Sequence, residues 1–435
     1  MLEPIKEVPN PDNLPKISQT VFNQMLEKHA MFMTGQLGGQ RLSLYYSDLS
    51  GINFHNHDLS QADFTGSRLV GADLSLGMYK HACFFGCDLT GADLSHADFT
   101  RADMRGSCLS GANLSGANLA DADMREGKIM EQNENGALID RERSGATGSK
   151  TVFRGARLNN ANLSGVRASS ADFSNADMTR STTEDAQFTG ASFEGANLSD
   201  VDFSNSDLSH TNMQNAILSG TQLDHNENLN AASVNAITEA TKRRSLENPE
   251  KVLKRMIDRH VLWIDSHGQD GEQLDLHDYD LRNLTDLRFF TLTAINAAGA
   301  CFISLDLSET EMQSALLERA DFRDCYMENI DLRGSRLCHT QFTRANLRGA
   351  RMSPLQFKRG DTLRLHRVDL SGADLRYANL EESDLRDAIL MGADLTHANL
   401  RGADLRRADL TGAVLDRAVL DDAKLDKAII DWRNI

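Results

Sequence analysis

From Leu44 onward a bulky apolar residue returns at every fifth position, through Leu49, Phe54, Leu59, Phe64, Leu69, Leu74, Tyr79, Phe84, Leu89 and Leu94 to Met124 and Ile129. Two places before these centres the residue is usually small, as at Ala62, Ala72, Ala82, Ala92, Ala102, Ala112 and Ala122. The register breaks after Ile129, resumes at Phe153, Leu158 and Leu163, and runs to Leu223. It returns from Leu287 to Phe357, then from Leu365 to Leu425, and ends at Ile430. Neither regular element accommodates this spacing. On a helix five steps rotate by about 140°, which would spread the centres around the whole circumference. On a straight strand an odd period sends successive centres to opposite faces. The chain must therefore turn once per unit if all centres are to share one interior, and the Asp, Asn, Ser, Thr and Gly that dominate the remaining positions suit such turns.

Units such as Ala373-Asp374-Leu375-Arg376-Tyr377 and Ala403-Asp404-Leu405-Arg406-Arg407 resemble the pentapeptide-repeat family, whose pattern is A(D/N)LXX. The resemblance covers most of the chain. It implies an all-β solenoid, a right-handed quadrilateral parallel β-helix with four units to a turn, here as two tandem modules with short α-helical caps. Residues 20 apart are then expected to stack, which places Phe153, Phe173 and Phe193 in one column and Phe302, Phe322 and Phe342 in another.

Interruptions of the pattern suggest the domain organisation. A flexible tail is expected over 1–16, a helical cap over 17–39, and a first repeat module over 40–225 with a loop insertion at 131–150. A helical connector and second cap follow over 226–273, then a second module over 274–435. The spacing predicts a helix over 17–33 and another that starts at Pro249, after Asn248 as N-cap, and runs toward Gly268. A further helix is expected over 231–246. His29-Ala30-Met31-Phe32 and His260-Val261-Leu262-Trp263 hold equivalent places before their modules, as an internal duplication would leave them. Pro354 and the irregular stretch 358–362 mark a second interruption. Ile429, Ile430 and Trp432 are expected to close the far end or to form a dimer contact.

Composition narrows the function. The 435 residues carry 46 Lys and Arg against 63 Asp and Glu, a net charge of −17, which argues against a general binder of nucleic acid or anionic membrane. The excess is uneven: residues 40–225 hold 24 acidic and 14 basic groups, residues 274–435 hold 27 and 22. No apolar run reaches membrane-spanning length, and the first residues lack a secretory signal pattern. Six cysteines (Cys83, Cys87, Cys108, Cys301, Cys325, Cys338) in so long a chain do not make a disulfide framework, which suits a reducing cytoplasm.

Candidate chemistry is sparse. Nucleophile elbow, P-loop, dinucleotide fingerprint and zinc-protease patterns do not occur. Cys83 and Cys87 approach the spacing of a metal pair, but Cys87 sits where alanine is usual and reads as packing. His29 and His260 read as buried cap residues, and His55, His57 and His81 as turn residues. Asp63, Asp73, Asp93, Asp103, Asp374 and Asp404 lie between the small residue and the centre, where they serve turn hydrogen bonding rather than catalysis. Arg376, Arg386, Arg401 and Arg406 with Glu381, Asp416, Asp421 and Asp426 form lines of charge, in which Arg401 is spaced to pair with Asp421. No catalytic, cofactor-binding or metal-ligating residue is expected, and no cofactor.

The expected function is therefore a non-catalytic, cytoplasmic scaffold or protein-interaction module. Its protein partner is unknown, a homodimer through the C-terminal end is an option, and neither membrane nor direct nucleic-acid contact is expected. Within the family, Qnr-like gyrase-protection proteins imitate duplex DNA toward type II topoisomerases. The acidic first module makes a DNA-mimicking topoisomerase modulator the principal alternative, ahead of a secreted bacterial effector or an enzyme.

Overall fold

A computed structural model describes residues 13–128, 130–132, 138–140, 149–223, 236, 244–246, 249–282, 284, 287–359 and 362–430. The chain divides into two compact units, Met1–Thr241 and Lys242–Ile435.

Within each unit the five-residue pattern becomes a repeating set of backbone hydrogen bonds. Around Leu94, the Asp93 N–H donates to the Ala72 carbonyl at 2.9 Å, the Leu94 N–H to Asn113 at 2.7 Å, and the His96 N–H to Ser115 at 3.0 Å. The Ala97 N–H then closes a turn on Leu94 at 3.3 Å. Each unit thus satisfies its polar backbone against chain about 20 residues before and after it. Single residues pair in parallel in four columns; one runs Asn53, Asp73, Asp93, Asn113, and another Asp58, Met78, Asp98, Asn118. The turn forces the second residue after each centre to positive φ, as at His96 (56°) and Gly91 (64°), which favours Gly, Asn and Asp there.

The expected fold class is corrected by this arrangement. An all-β solenoid or parallel β-helix needs strands, and the described residues are mostly irregular backbone with short pairings. Among the described residues, regular structure consists of two helices, α1 (Gln19–Met33) and α2 (Pro249–Asp265), and eight short strands in four two-stranded sheets. Strands β1 (Met130–Gln132) and β2 (Leu138–Asp140) are antiparallel, as are β5 (Leu355–Arg359) and β6 (Thr362–His366). The parallel pairs are β3 (Arg244–Ser245) with β4 (Tyr279–Asp280), and β7 (Asp409–Leu410) with β8 (Ile429–Ile430). The physical reason is the turn itself: a bend in every unit leaves one extended residue between turns, too few to propagate a strand.

Packing follows the centres. Leu94, Phe99, Leu114 and Leu119 are buried in the first unit, and Leu375, Leu380, Leu395 and Leu400 in the second. The expected aromatic columns are present. Phe153 and Phe173 stack with ring centroids 4.7 Å apart, Phe173 and Phe193 at 5.2 Å, Phe302 and Phe322 at 4.6 Å, and Phe322 and Phe342 at 5.3 Å. Each such contact adds about 0.5–1.5 kcal/mol beyond burial.

The interruptions are accommodated without losing the columns. Cys108 pairs with Val152, 44 residues on, and Arg336 with Asp369, 33 residues on. Of the 131–150 insertion, 133–137 and 141–148 lie outside the described residues. The second interruption is the β5–β6 hairpin, so Leu365, expected as a centre, is instead 54% exposed. The expected helix over 231–246 lies largely outside the described residues; Arg244 and Ser245 at its end pair with Tyr279 and Asp280 instead. Residues 1–12, Asn248 and Trp432 also lie outside.

The two helices are locally determined. Ser18 caps α1 by accepting the Val21 N–H, Thr34 ends it by donating to the Ala30 carbonyl, and Phe22 and His29 are its buried residues. On α2, Leu253, Ile257 and His260 share one buried face, as their i, i+4, i+7 spacing requires.

Candidate interaction surface

The carboxylates ahead of each centre are held in one recurring lock. Asp63 Oδ1 accepts the Thr65 N–H at 3.0 Å and its hydroxyl at 2.7 Å, and Asp98 is bound likewise by Thr100. Where arginine follows, the lock is a two-point ion pair. Asp404 Oδ1 accepts from Arg406 Nε at 2.8 Å and Oδ2 from Nη2 at 2.6 Å; Asp103 with Arg105 and Asp331 with Arg333 repeat it. Hydrogen bonds from Arg406 hold the Asp404 carboxyl below the usual carboxylate range, against a smaller opposing effect of burial. In the second unit Arg323 and Asp321 form this pair buried, at 2.7 Å, and Arg344 with Asp324 form a second buried pair across 20 residues. These acids organise turns.

A cleft of about 690 Å³ opens in the first unit between Arg101, Asp103, Arg105, Asp121, Asp123, Gly165, Arg167 and Gln187. At its floor the largely buried Asp123 carboxylate receives Arg125 at 2.8 Å and Arg167 at 2.9 Å, with Arg105 at 3.8 Å. Burial acts to raise the Asp123 pKa, but the Arg125 hydrogen bonds and the Arg167 charge outweigh it and the net direction is downward. The Arg105 guanidinium also lies over the Phe85 ring at 5.2 Å. Every guanidinium here already faces a carboxylate of the same chain, so the cleft is a closed ionic network.

The residues singled out for chemistry are placed as follows. Cys87 is buried with its Sγ 2.9 Å from the Phe64 carbonyl, and Cys83 Sγ lies 3.2 Å from Thr65 Oγ1. Burial pushes the Cys83 thiol pKa up, which opposes reactivity. All six cysteines are free thiols. His55 Nδ1 meets Ser75 Oγ at 2.8 Å, while His81 stands at the positive-φ turn position. Among the described residues, no group of three or more His, Cys, Asp or Glu is placed to hold a metal ion. Arg401 and Asp421 pair at 3.2 Å as their spacing suggested. No described helix is long and apolar enough to cross a membrane.

His29 and His260 are fully buried, and their environments match. His29 Nδ1 accepts the Leu42 N–H at 3.0 Å and His260 Nδ1 accepts the Leu274 N–H at 3.0 Å. The rings stack on Phe32 and Trp263 with centroids 5.8 and 5.7 Å apart.

Sequence reasoning passed over the β5–β6 ribbon. Its register pairs Leu355 with His366, Gln356 with Leu365, Phe357 with Arg364, Lys358 with Leu363 and Arg359 with Thr362. Lys358, Arg359, Arg364 and Arg367 crowd this short segment, and Arg364, Leu365, His366 and Arg367 are exposed. Arg367 anchors the base by donating from Nε to the Asp387 carbonyl and from Nη2 to that of Ala388. Among the described residues neither outer edge pairs with another strand.

Comparison with known proteins follows the repeats. No curated protein matches the chain. Among solved structures, HetL, a pentapeptide repeat protein involved in heterocyst differentiation regulation from the cyanobacterium Nostoc sp. strain PCC 7120, is 21% identical. That alignment covers 92% of this chain and 94% of HetL, at a TM-score of 0.18. The plasmid-mediated fluoroquinolone resistance protein QnrB1 is 19% identical over 49% of this chain and 95% of its own, at a TM-score of 0.25. A pentapeptide repeat protein from the Arabidopsis thaliana thylakoid lumen is 24% identical over 39% and 89%, at 0.13. Such scores leave the assignment to the repeats themselves. The pattern described as pentapeptide repeats matches residues 43–76, 82–126, 149–182, 184–223, 315–353, 364–402 and 393–431, more than half of the sequence, and the chain belongs to the pentapeptide-repeat family.

Proposed function

We propose that the protein is a non-catalytic, cytoplasmic scaffold or protein-interaction module, and that the β5–β6 ribbon is its docking surface for an acidic partner segment. Pentapeptide-repeat domains are generally non-catalytic. The observation that carries the reading is that the sequence places Lys358, Arg359 and Arg364 on a hairpin whose outer edges pair with no other strand among the described residues, in a chain of net charge −17. An acidic extended peptide added along such an edge would gain main-chain hydrogen bonds and charge pairing together. The test is fluorescence anisotropy of a labelled oligoglutamate peptide with the full chain and with a Lys358→Glu/Arg364→Glu variant. Binding that weakens with salt and with the substitutions supports the reading. No binding, or equal binding to the variant, overturns it, and preference for an oligonucleotide of matched charge transfers the surface to nucleic acid.

The C-terminal end supports a homodimer. Val414, Val419 and Ile429 are exposed there, and the centres Leu420, Leu425 and Ile430 are only half-buried. Light scattering across a concentration series tests it, and a monomer mass throughout refutes it. The acidic excess of residues 40–225 favours one second reading, a topoisomerase-directed DNA mimic. A gyrase supercoiling assay unaffected at micromolar protein removes that reading.

A further inference from the structure

The same histidine device stands at the start of both units, and its hydrogen bonds require the neutral ring. In the first, Nδ1 of His29 accepts the Leu42 N–H, and the next turn is fixed to α1 by the Gln40 N–H on the Lys28 carbonyl at 3.0 Å. In the second, Nδ1 of His260 accepts the Leu274 N–H, and the Glu272 N–H reaches the Arg259 carbonyl at 3.2 Å. The side chains of Arg41 and Gln273 repeat the match by donating to the carbonyls of Gln61 and Ala294. Glycine precedes each junction because the chain passes too close to the helix for a side chain. A Cβ on Gly39 would lie 2.3 Å from Phe32 N, and one on Gly271 2.2 Å from the Arg259 carbonyl oxygen.

An imidazole whose Nδ1 accepts a backbone N–H carries its proton on Nε2. Nε2 of His260 is accordingly 2.9 Å from the Thr293 carbonyl, whereas buried Nε2 of His29, beside the Ser60 carbonyl, makes no hydrogen bond of good geometry among the described residues. A second proton on Nδ1 would set two donors against each other and bury a charge. We infer that His29 and His260 are paired acid-sensitive latches, whose protonation releases α1 and α2 from the first repeats and bares the apolar end of each unit.

The charged surroundings permit this. Burial acts most strongly on His29 and lowers its pKa; the Asp58 charge and the Ser60 carbonyl oppose that, and Arg41 reinforces it. On His260 burial lowers the pKa against the Thr293 carbonyl, and the Arg259–Glu272 ion pair beside it is exposed. Release of α1 would uncover Phe22, which packs edge-on to Phe54 with centroids 4.6 Å apart. Release of α2 would uncover Leu253 and Ile257.

The experiment is amide hydrogen exchange on the full chain at pH 7.5 and pH 5, corrected for intrinsic rates, with Leu94 and Leu395 as internal references. Protection at Leu42 and Leu274 is expected to fall at least about tenfold relative to the references, the scale of one pKa unit of linkage. In a His29→Asn/His260→Asn variant, whose Oδ1 atoms stand where Nδ1 stood and accept the same N–H groups without titrating, that fall should vanish. Unchanged relative protection in the natural chain overturns the proposal, as does an identical fall in the variant. If the variant does not fold, ring-labelled histidine spectra of the natural chain decide: both rings must gain a proton in the pH interval in which protection is lost.

Discussion

Tyr79 fits beneath the first unit's surface because Gly77 has no side chain: a Cβ there would stand 2.7 Å from the phenol oxygen and 2.6 Å from Cε2. The ring occupies a centre position, stacked on Phe99 at 4.9 Å, and its buried hydroxyl has no hydrogen-bond partner among the described residues. Gly77→Ala should cost about 1–3 kcal/mol through forced repacking. Tyr79→Phe should leave stability unchanged or raise it by about 1 kcal/mol, since it removes an unsatisfied polar group. Denaturant titration followed by circular dichroism measures both, and a marked loss in Tyr79→Phe would show that the hydroxyl has a partner.

The buried pair Arg323 and Asp321 predicts a sharper effect. Asp321→Ala removes the two-point carboxylate partner of a guanidinium that is almost wholly enclosed, with an expected loss of about 3–5 kcal/mol. The exposed pair Arg401 and Asp421 should behave oppositely: Arg401→Ala should change stability by less than about 1 kcal/mol. Comparable losses at the two sites would contradict this ranking.

Acid should act in two stages. The folded pKa of His29 and of His260 lies below the unfolded value, so their contribution is complete above about pH 6.5 and is lost as pH falls from there through the folded value. Asp387 and Asp404 are also held low, chiefly by hydrogen bonds from Arg407 and Arg406. Their contribution is complete above about pH 4 and is lost only as pH falls further. Exchange at pH 5 should therefore loosen the cap junctions and leave the Arg-locked turns protected; simultaneous loss would contradict the order.

How much was legible depended on what each residue answers to. Centres such as Leu94, the alanines beside them and the Phe153, Phe173, Phe193 column follow from spacing, because a side chain with nowhere else to go must enter the interior. The Arg101, Asp103 and Arg105 cleft was not foreseen, since Asp123 meets Arg167 across the 131–150 insertion, which breaks the 20-residue spacing. Leu365 misled because it keeps a five-residue phase by coincidence. Leu355, Phe357, Leu363 and Leu365 alternate about Gly360-Asp361, a hairpin signal that the stronger repeat obscured. The strand-rich class failed for a related reason: stacking was legible, but whether a pairing residue extends into a strand depends on how tightly each turn bends.

The most direct test of the central claim, that register repeats at 20 residues around an interior of every fifth side chain, is amide exchange on two internal deletions. Removal of 374–393 places Asp394 where Asp374 paired with Gln341, and should leave protection intact at Phe342, Ala345 and Leu347 before the join and at Leu395 and Leu400 after it. Removal of 374–376 instead shifts every later residue by three against the chain before the join, and protection should be lost at Phe342 and Leu347, whose N–H groups donate across it to the carbonyls of Asp374 and Asn379. Equal protection in the two deletions, or its loss in the first, would contradict the account.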